Sequence, residues 1–124
     1  MFVFCNPNPE KNLVGDCVIR AVSIALNQDW QTTYLGVTVK GFECYDMPSS
    51  NNVWGAYLEE KGFERLSIPN TCPNCYTIKD FCKDNPTGIY IIGTGSHAVA
   101  IIDGDYYDTW DSGDEVPMYF FKRS

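Results

Sequence analysis

Apolar side chains fill the stretch 17–26 almost without interruption: Cys17, Val18, Ile19, Ala21, Val22, Ile24, Ala25 and Leu26, broken only by Arg20 and Ser23. Arg20 and Ser23 are three residues apart, so at helical spacing they share one narrow face. The pattern predicts a helix over 16–27 that is buried almost all round. Asp16 suits the N-cap, Gly15 lets the backbone turn before it, and Asn27 suits the close. Asp29 is the expected N-cap of a second, shorter helix through Trp30, Tyr34 and Leu35. After a loop over 46–50, Ser50 or Asn51 starts a third helix through Val53, Trp54, Tyr57 and Leu58, which the pair Lys61-Gly62 stops. Residues 63–68 read as a strand, 69–75 as a Pro/Asn/Cys-rich loop, and 77–83 as a short helix ending before Pro86.

From Gly88 the period changes from that of a helix to that of a strand. Residues 89–92, 97–102, 106–110 and 118–121 are predicted strands. A further short strand opens the chain at Met1 to Cys5, followed by the turn-forming Asn6-Pro7-Asn8-Pro9. The expectation is one α+β domain over 1–124, with N-terminal helices, one of them central and buried, packed on a C-terminal antiparallel sheet.

Asp103-Gly104 is a strong two-residue hairpin signal. With it as the turn, Ile102 pairs with Asp105, Ile101 with Tyr106 and Ala100 with Tyr107. His97, Val99, Ile101, Tyr106, Asp108 and Trp110 then share one face, and Asp108 is a diagonal neighbour of His97. A three-residue turn would slip the register by one and give His97 the partner Asp111 instead.

Composition narrows the function. Of 124 residues, 44% are hydrophobic and 15% aromatic, which is a folded globule and not a disordered chain. The net charge of -7 and the lack of a basic stripe argue against nucleic acid and against an anionic membrane surface as partners. No apolar run has transmembrane length, and the start of the chain lacks a basic leader region, so a cytoplasmic protein is expected. The six cysteines are irregularly spaced, and most are expected to be reduced, buried thiols. Cys72-Pro73-Asn74-Cys75 fits a structural loop, a redox dithiol or disulfide, or half of a zinc site. The acidic residues Asp103, Asp105, Asp108, Asp111, Asp114 and Glu115 lack the spacing of a calcium loop and read as a solvated turn. No metal or other cofactor is called for.

His97 is the single histidine. A three-histidine zinc site is therefore impossible, and His97 is the economical choice for a side-chain base near neutral pH. Cys17 falls in the first turn of its helix, where free N–H groups and the positive end of the dipole favour a thiolate. The same N–H groups suit an oxyanion. A thiol, an imidazole and a carboxylate, each at the end of a regular element, point to nucleophilic catalysis by cysteine, provided the helix packs on the His97 face. The aromatics Trp30, Tyr34, Tyr45, Trp54 and Tyr57 are candidates for a cleft lining or for core.

These residues resemble the papain-like cysteine peptidase superfamily, and the chain is nearest in size to its minimal bacterial and phage members. His97-Ala98-Val99-Ala100 is similar to the papain histidine strand, and Asp108-Thr109-Trp110 to its Asn-Ser-Trp segment with Asp in place of Asn. The resemblance implies a papain-like fold with Cys17 as nucleophile, His97 as general base, Asp108 as the group that orients it, and Trp110 as the aromatic that shields the pair. Papain-type enzymes carry a glutamine oxyanion donor several residues before the cysteine; the amide here is Asn12. The implied activity is hydrolysis of an amide, peptide or isopeptide bond in a peptide or protein substrate through a thioester. Acyl transfer of the transglutaminase kind on the same site, and a non-catalytic binding or effector domain, are the alternatives.

Overall fold

A computed structural model describes residues 1–123. In chain order the elements are β1 (Phe2–Phe4), α1 (Cys17–Leu26), α2 (Trp30–Cys44), α3 (Asn51–Glu60), β2 (Phe63–Ser67), α4 (Ile78–Asp84), β3 (Ile89–Gly93), β4 (Ala98–Ile102), β5 (Asp105–Asp108) and β6 (Tyr119–Arg123). The architecture is α+β, four helices with one six-stranded sheet of order β1-β5-β4-β3-β6-β2. The sheet is mixed, not purely antiparallel and not purely C-terminal. β1 pairs parallel with β5, through Phe2 with Tyr106 and Phe4 with Asp108, and β2 closes the other edge against β6. A parallel partner about a hundred residues away leaves no local turn signal, so periodicity did not place it.

The hairpin register is the expected one. Ile102 pairs with Asp105, Ile101 with Tyr106 and Ala100 with Tyr107. Asp103 and Gly104 have φ of 49° and 80°, the left-handed pair that a two-residue turn of this hand needs. Asp103 also exchanges two bonds with Gly88, its N–H donating to the Gly88 carbonyl and its Oδ1 accepting the Gly88 N–H, both at 2.9 Å. That ties the tip of the hairpin to the entry of β3.

α1 has no exposed residue, as its pattern predicts. Its two polar residues are buried as well, Arg20 at 8% and Ser23 at 2% exposure. The narrow polar face is therefore internal. Ser23 Oγ bonds the Ile19 carbonyl at 2.6 Å and Thr33 Oγ1 of α2 at 2.8 Å, which satisfies it against the neighbouring helix. α2 is fifteen residues long, not short. Gly36 and Gly41 weaken helical propensity, yet each marks a close approach. A Cβ on Gly36 would lie 2.7 Å from the Tyr57 ring, and one on Gly41 2.8 Å from the Asp46 carbonyl oxygen.

The sheet buries both faces. On one, Ile91, Ala98, Ala100 and Phe121 meet Ala21, Val22 and Ala25 of α1 and Trp54 and Leu58 of α3. On the other, Ile92, Val99, Ile101 and Tyr106 meet Ile78, Phe81 and Cys82 of α4. α1 thus lies on the Ala98–Ala100 face, opposite to the Val99–Ile101 face on which alternation puts His97. The cysteines also depart from expectation. Cys72 and Cys75 are joined as an exposed disulfide, so the pair is not a metal half-site. Of the free cysteines, Cys82 is buried, Cys5 and Cys17 are half-buried and Cys44 is exposed. Among the described residues no helix is long and apolar enough to cross a membrane.

Candidate active site

His97 lies just outside β4, after the turn over 94–97 that joins it to β3. The turn is closed by the Thr94 N–H donating to the His97 carbonyl at 2.8 Å. Release from the strand frees His97 from the strict alternation of β4. It stands at the end of the sheet where α1 begins, and the contact with Cys17 is made there.

The imidazole joins two elements. Its Nε2 is 2.6 Å from Asp108 Oδ2, and the ring also interacts with the Cys17 thiol. Asp108 is at the end of β5 and only 3% exposed. It also accepts the Ser112 hydroxyl on Oδ2 and the Thr109 N–H on Oδ1, both at 2.7 Å. The two-residue turn therefore decides the partner. Asp111 is exposed, and accepts from the Tyr106 hydroxyl and the Gly113 N–H instead. Trp110 covers the other side of His97, with ring centroids 5.0 Å apart at 31°. It is itself 46% exposed, so it forms an outer wall.

Cys17 also interacts with the Ala98 backbone N–H. The ladder explains its availability. Bonding positions on β4 alternate, and His97 bonds toward β3, so Ala98 points toward β5. β5 stops at Asp108, one residue short of the position opposite Ala98. The amide at the unpaired end of the ladder is left for the thiol.

These contacts set the charge states. Burial pushes the Cys17 thiol up, but the bonds from His97 and Ala98 and the positive charges of His97 and Arg20 outweigh it and bring the thiol below its ordinary value. Burial alone would lower His97; the bonds and charges of Asp108 and Cys17 raise it to about 9. Burial likewise works against the Asp108 carboxylate, and the bonds from His97 and Ser112 and the His97 charge hold it below the usual range. The two shifts run in opposite directions and favour the same pair, the thiol drawn toward thiolate and the ring toward imidazolium. Cys5 and Cys82, where burial dominates, are both raised.

Cys17 and His97 open into a cavity of about 520 Å³ between α1, the start of α3 and the 94–98 segment. Trp30, Tyr34, Trp54 and Tyr119 line it, with Val18 and Pro48. Of the five aromatics picked from the sequence, Trp30 and Tyr34 line the cavity, Trp54 does so from the core, Tyr57 is core only, and Tyr45 is 97% exposed and is neither. Asn12 is not brought to the site: it is exposed, outside the cavity lining, and its N–H donates to Asn8 Oδ1 at 3.3 Å. The loop over 6–12 winds on itself through Asn6 and Asn8, which carries Asn12 away.

Sequence reasoning missed Arg20 and Ser112. Ser112 has no local signal. Arg20 had one: a lone cation in an otherwise apolar helix, four residues after an aspartate, requires a partner when buried. No protein-family profile, curated protein or solved structure matches the chain.

Proposed function

We propose that the chain is a papain-like thiol hydrolase acting on an amide, peptide or isopeptide bond. The observation that carries the reading is His97, held between the Cys17 thiol and the Asp108 carboxylate at the mouth of the cavity. The order of residues, with a cysteine opening a buried helix, a histidine just before one strand and an acid at the end of the next, also matches the papain resemblance. Cys17 as thiolate attacks the carbonyl carbon and forms the C–S bond. The carbonyl oxygen becomes an oxyanion facing the free N–H groups of the first turn of α1. His97 gives its proton to the amine, the C–N bond breaks, and a thioester remains. Water then attacks, with His97 taking its proton, and the acid leaves as the thiolate is regenerated.

Iodoacetamide labelling at pH 6 with peptide mapping tests the nucleophile. Cys17 should react first, ahead of the more exposed Cys44, and the selectivity should vanish in His97→Ala. Equal labelling of several cysteines, or labelling of Cys17 only above pH 8, rejects it. Turnover is tested on a library of fluorogenic peptide amides: hydrolysis should appear in the wild type and be absent in Cys17→Ala.

A further inference from the structure

Asp16 stands at the N-cap of α1, yet it does not cap the helix. An N-cap aspartate ordinarily accepts a hydrogen bond from the N–H two or three residues on. Asp16, with φ -110° and ψ 25°, makes no such bond. Its two oxygens are engaged elsewhere. Oδ1 pairs with the Arg20 guanidinium, and Oδ2 accepts the Trp30 indole N–H at 2.9 Å. The same guanidinium turns its second arm to Asp108, with Nη2 3.6 Å from Oδ1. All three side chains are nearly closed off from solvent, at 10% for Arg20, 6% for Asp16 and 2% for Asp108.

This arrangement matters because of what a capping Asp16 would do. Its carboxylate would lie against the first turn, next to the thiolate of Cys17. It would also occupy N–H groups that an acyl oxyanion needs. We propose that Arg20 is a positioning residue for this site: it draws Asp16 off the start of α1 and ties it to Asp108, so that the helix amides stay open and the nucleophile helix is anchored to the carboxylate that orients His97. The role rests on the thiol-hydrolase reading, and the contacts do not.

The groups that act on Cys17 are Arg20 on its own helix, His97 with Asp108 behind it from the sheet, and Tyr119 from β6, while Asp16 is joined to them through Arg20. With the thiolate formed there are three anions and two cations. Without Arg20 the anions face His97 alone, in surroundings that solvate charge poorly, and the thiolate is the group free to take up a proton.

The test is the rate of Cys17 alkylation against pH, with the melting temperature as a check on folding. Arg20→Gln should slow labelling at pH 6 by about tenfold, the size expected when a close opposite charge is lost. Arg20→Lys keeps the charge but not the two-armed reach, and should fall between. The decisive variant is the double substitution Asp16→Asn with Arg20→Gln, which removes the displaced carboxylate too and should recover most of the rate. Labelling of Arg20→Gln at the wild-type rate overturns the proposal. So does a double variant as slow as the single one, since Arg20 would then only support packing. If Arg20→Gln does not fold, Arg20→Lys with and without Asp16→Asn makes the same comparison. Failure of the hydrolase reading is distinct: it shows as unselective labelling in the wild type, while the single-to-double comparison on Cys17 still decides the role of Arg20.

Discussion

A single imidazole makes the titration of this site directly readable, because every histidine signal belongs to His97. Its nitrogen resonances should report an imidazolium up to about pH 9. Asp108→Ala removes the bond and the charge that raise it, so the midpoint should fall toward the ordinary histidine value near 6.5. An unmoved midpoint would show that Asp108 does not govern the ring. The linkage to stability follows in sign. Because folding raises the His97 value, its contribution is complete below about pH 6.5 and is lost as pH climbs through about 9. The difference in unfolding free energy between wild type and His97→Gln, from urea melts, should therefore be larger at pH 6 than at pH 10. Legibility at this scale was uneven. His97 and Cys17 were visible because uniqueness and position in the first turn of a helix are properties of the string itself. Asn12 was misplaced because a loop's path depends on its own Asn6 and Asn8 bonds, which have no periodicity.

Among the elements, the β4–β5 hairpin carries the most functional weight. Its two-residue turn puts Asp108, and not Asp111, opposite the end of β4. Gly104, at φ 80°, sits where an L side chain is strained, although a Cβ there would meet nothing closer than 3.5 Å. Gly104→Ala should cost about 1 kcal/mol through backbone strain alone, read from the urea midpoint at unchanged m-value. A neutral substitution would mean the turn can relax. Gly93 is constrained differently, by space: a Cβ there would lie 2.2 Å from the Tyr119 ring, which lines the cavity. Gly93→Ala should therefore alter Cys17 labelling by displacing Tyr119, a shift checked by the same alkylation assay. The hairpin was legible because Asp-Gly and its flanking alternation lie within ten residues. The full length of α2 was not, because Gly36 and Gly41 weaken helical propensity while tertiary contact with Tyr57 and the 46–48 loop favours it.

Across the whole molecule, one sheet supports two cores, with α1 and α3 on one side and α4 on the other. Leu58 and Ile101, both fully buried, belong to different sides. Leu58→Ala and Ile101→Ala should each cost about 2–5 kcal/mol in one shared urea transition. Two separate transitions would show that the layers unfold independently. Spacing along the chain was enough to read the helix over 16–27, to favour the two-residue hairpin turn and to single out Cys17, His97 and Asp108, because each of these rests on one or two neighbouring elements. How these groups meet depends on packing between distant segments. α1 packs on the Ala98–Ala100 face, so the contact with His97 is made at the end of the sheet and not across its face. Asp16, a cap by local preference, is instead held by Arg20 and Trp30. The physical reason is common to both: burial forces every charged or hydrogen-bonding group to find a partner in space, and those partners come from chain segments whose separation no local period encodes.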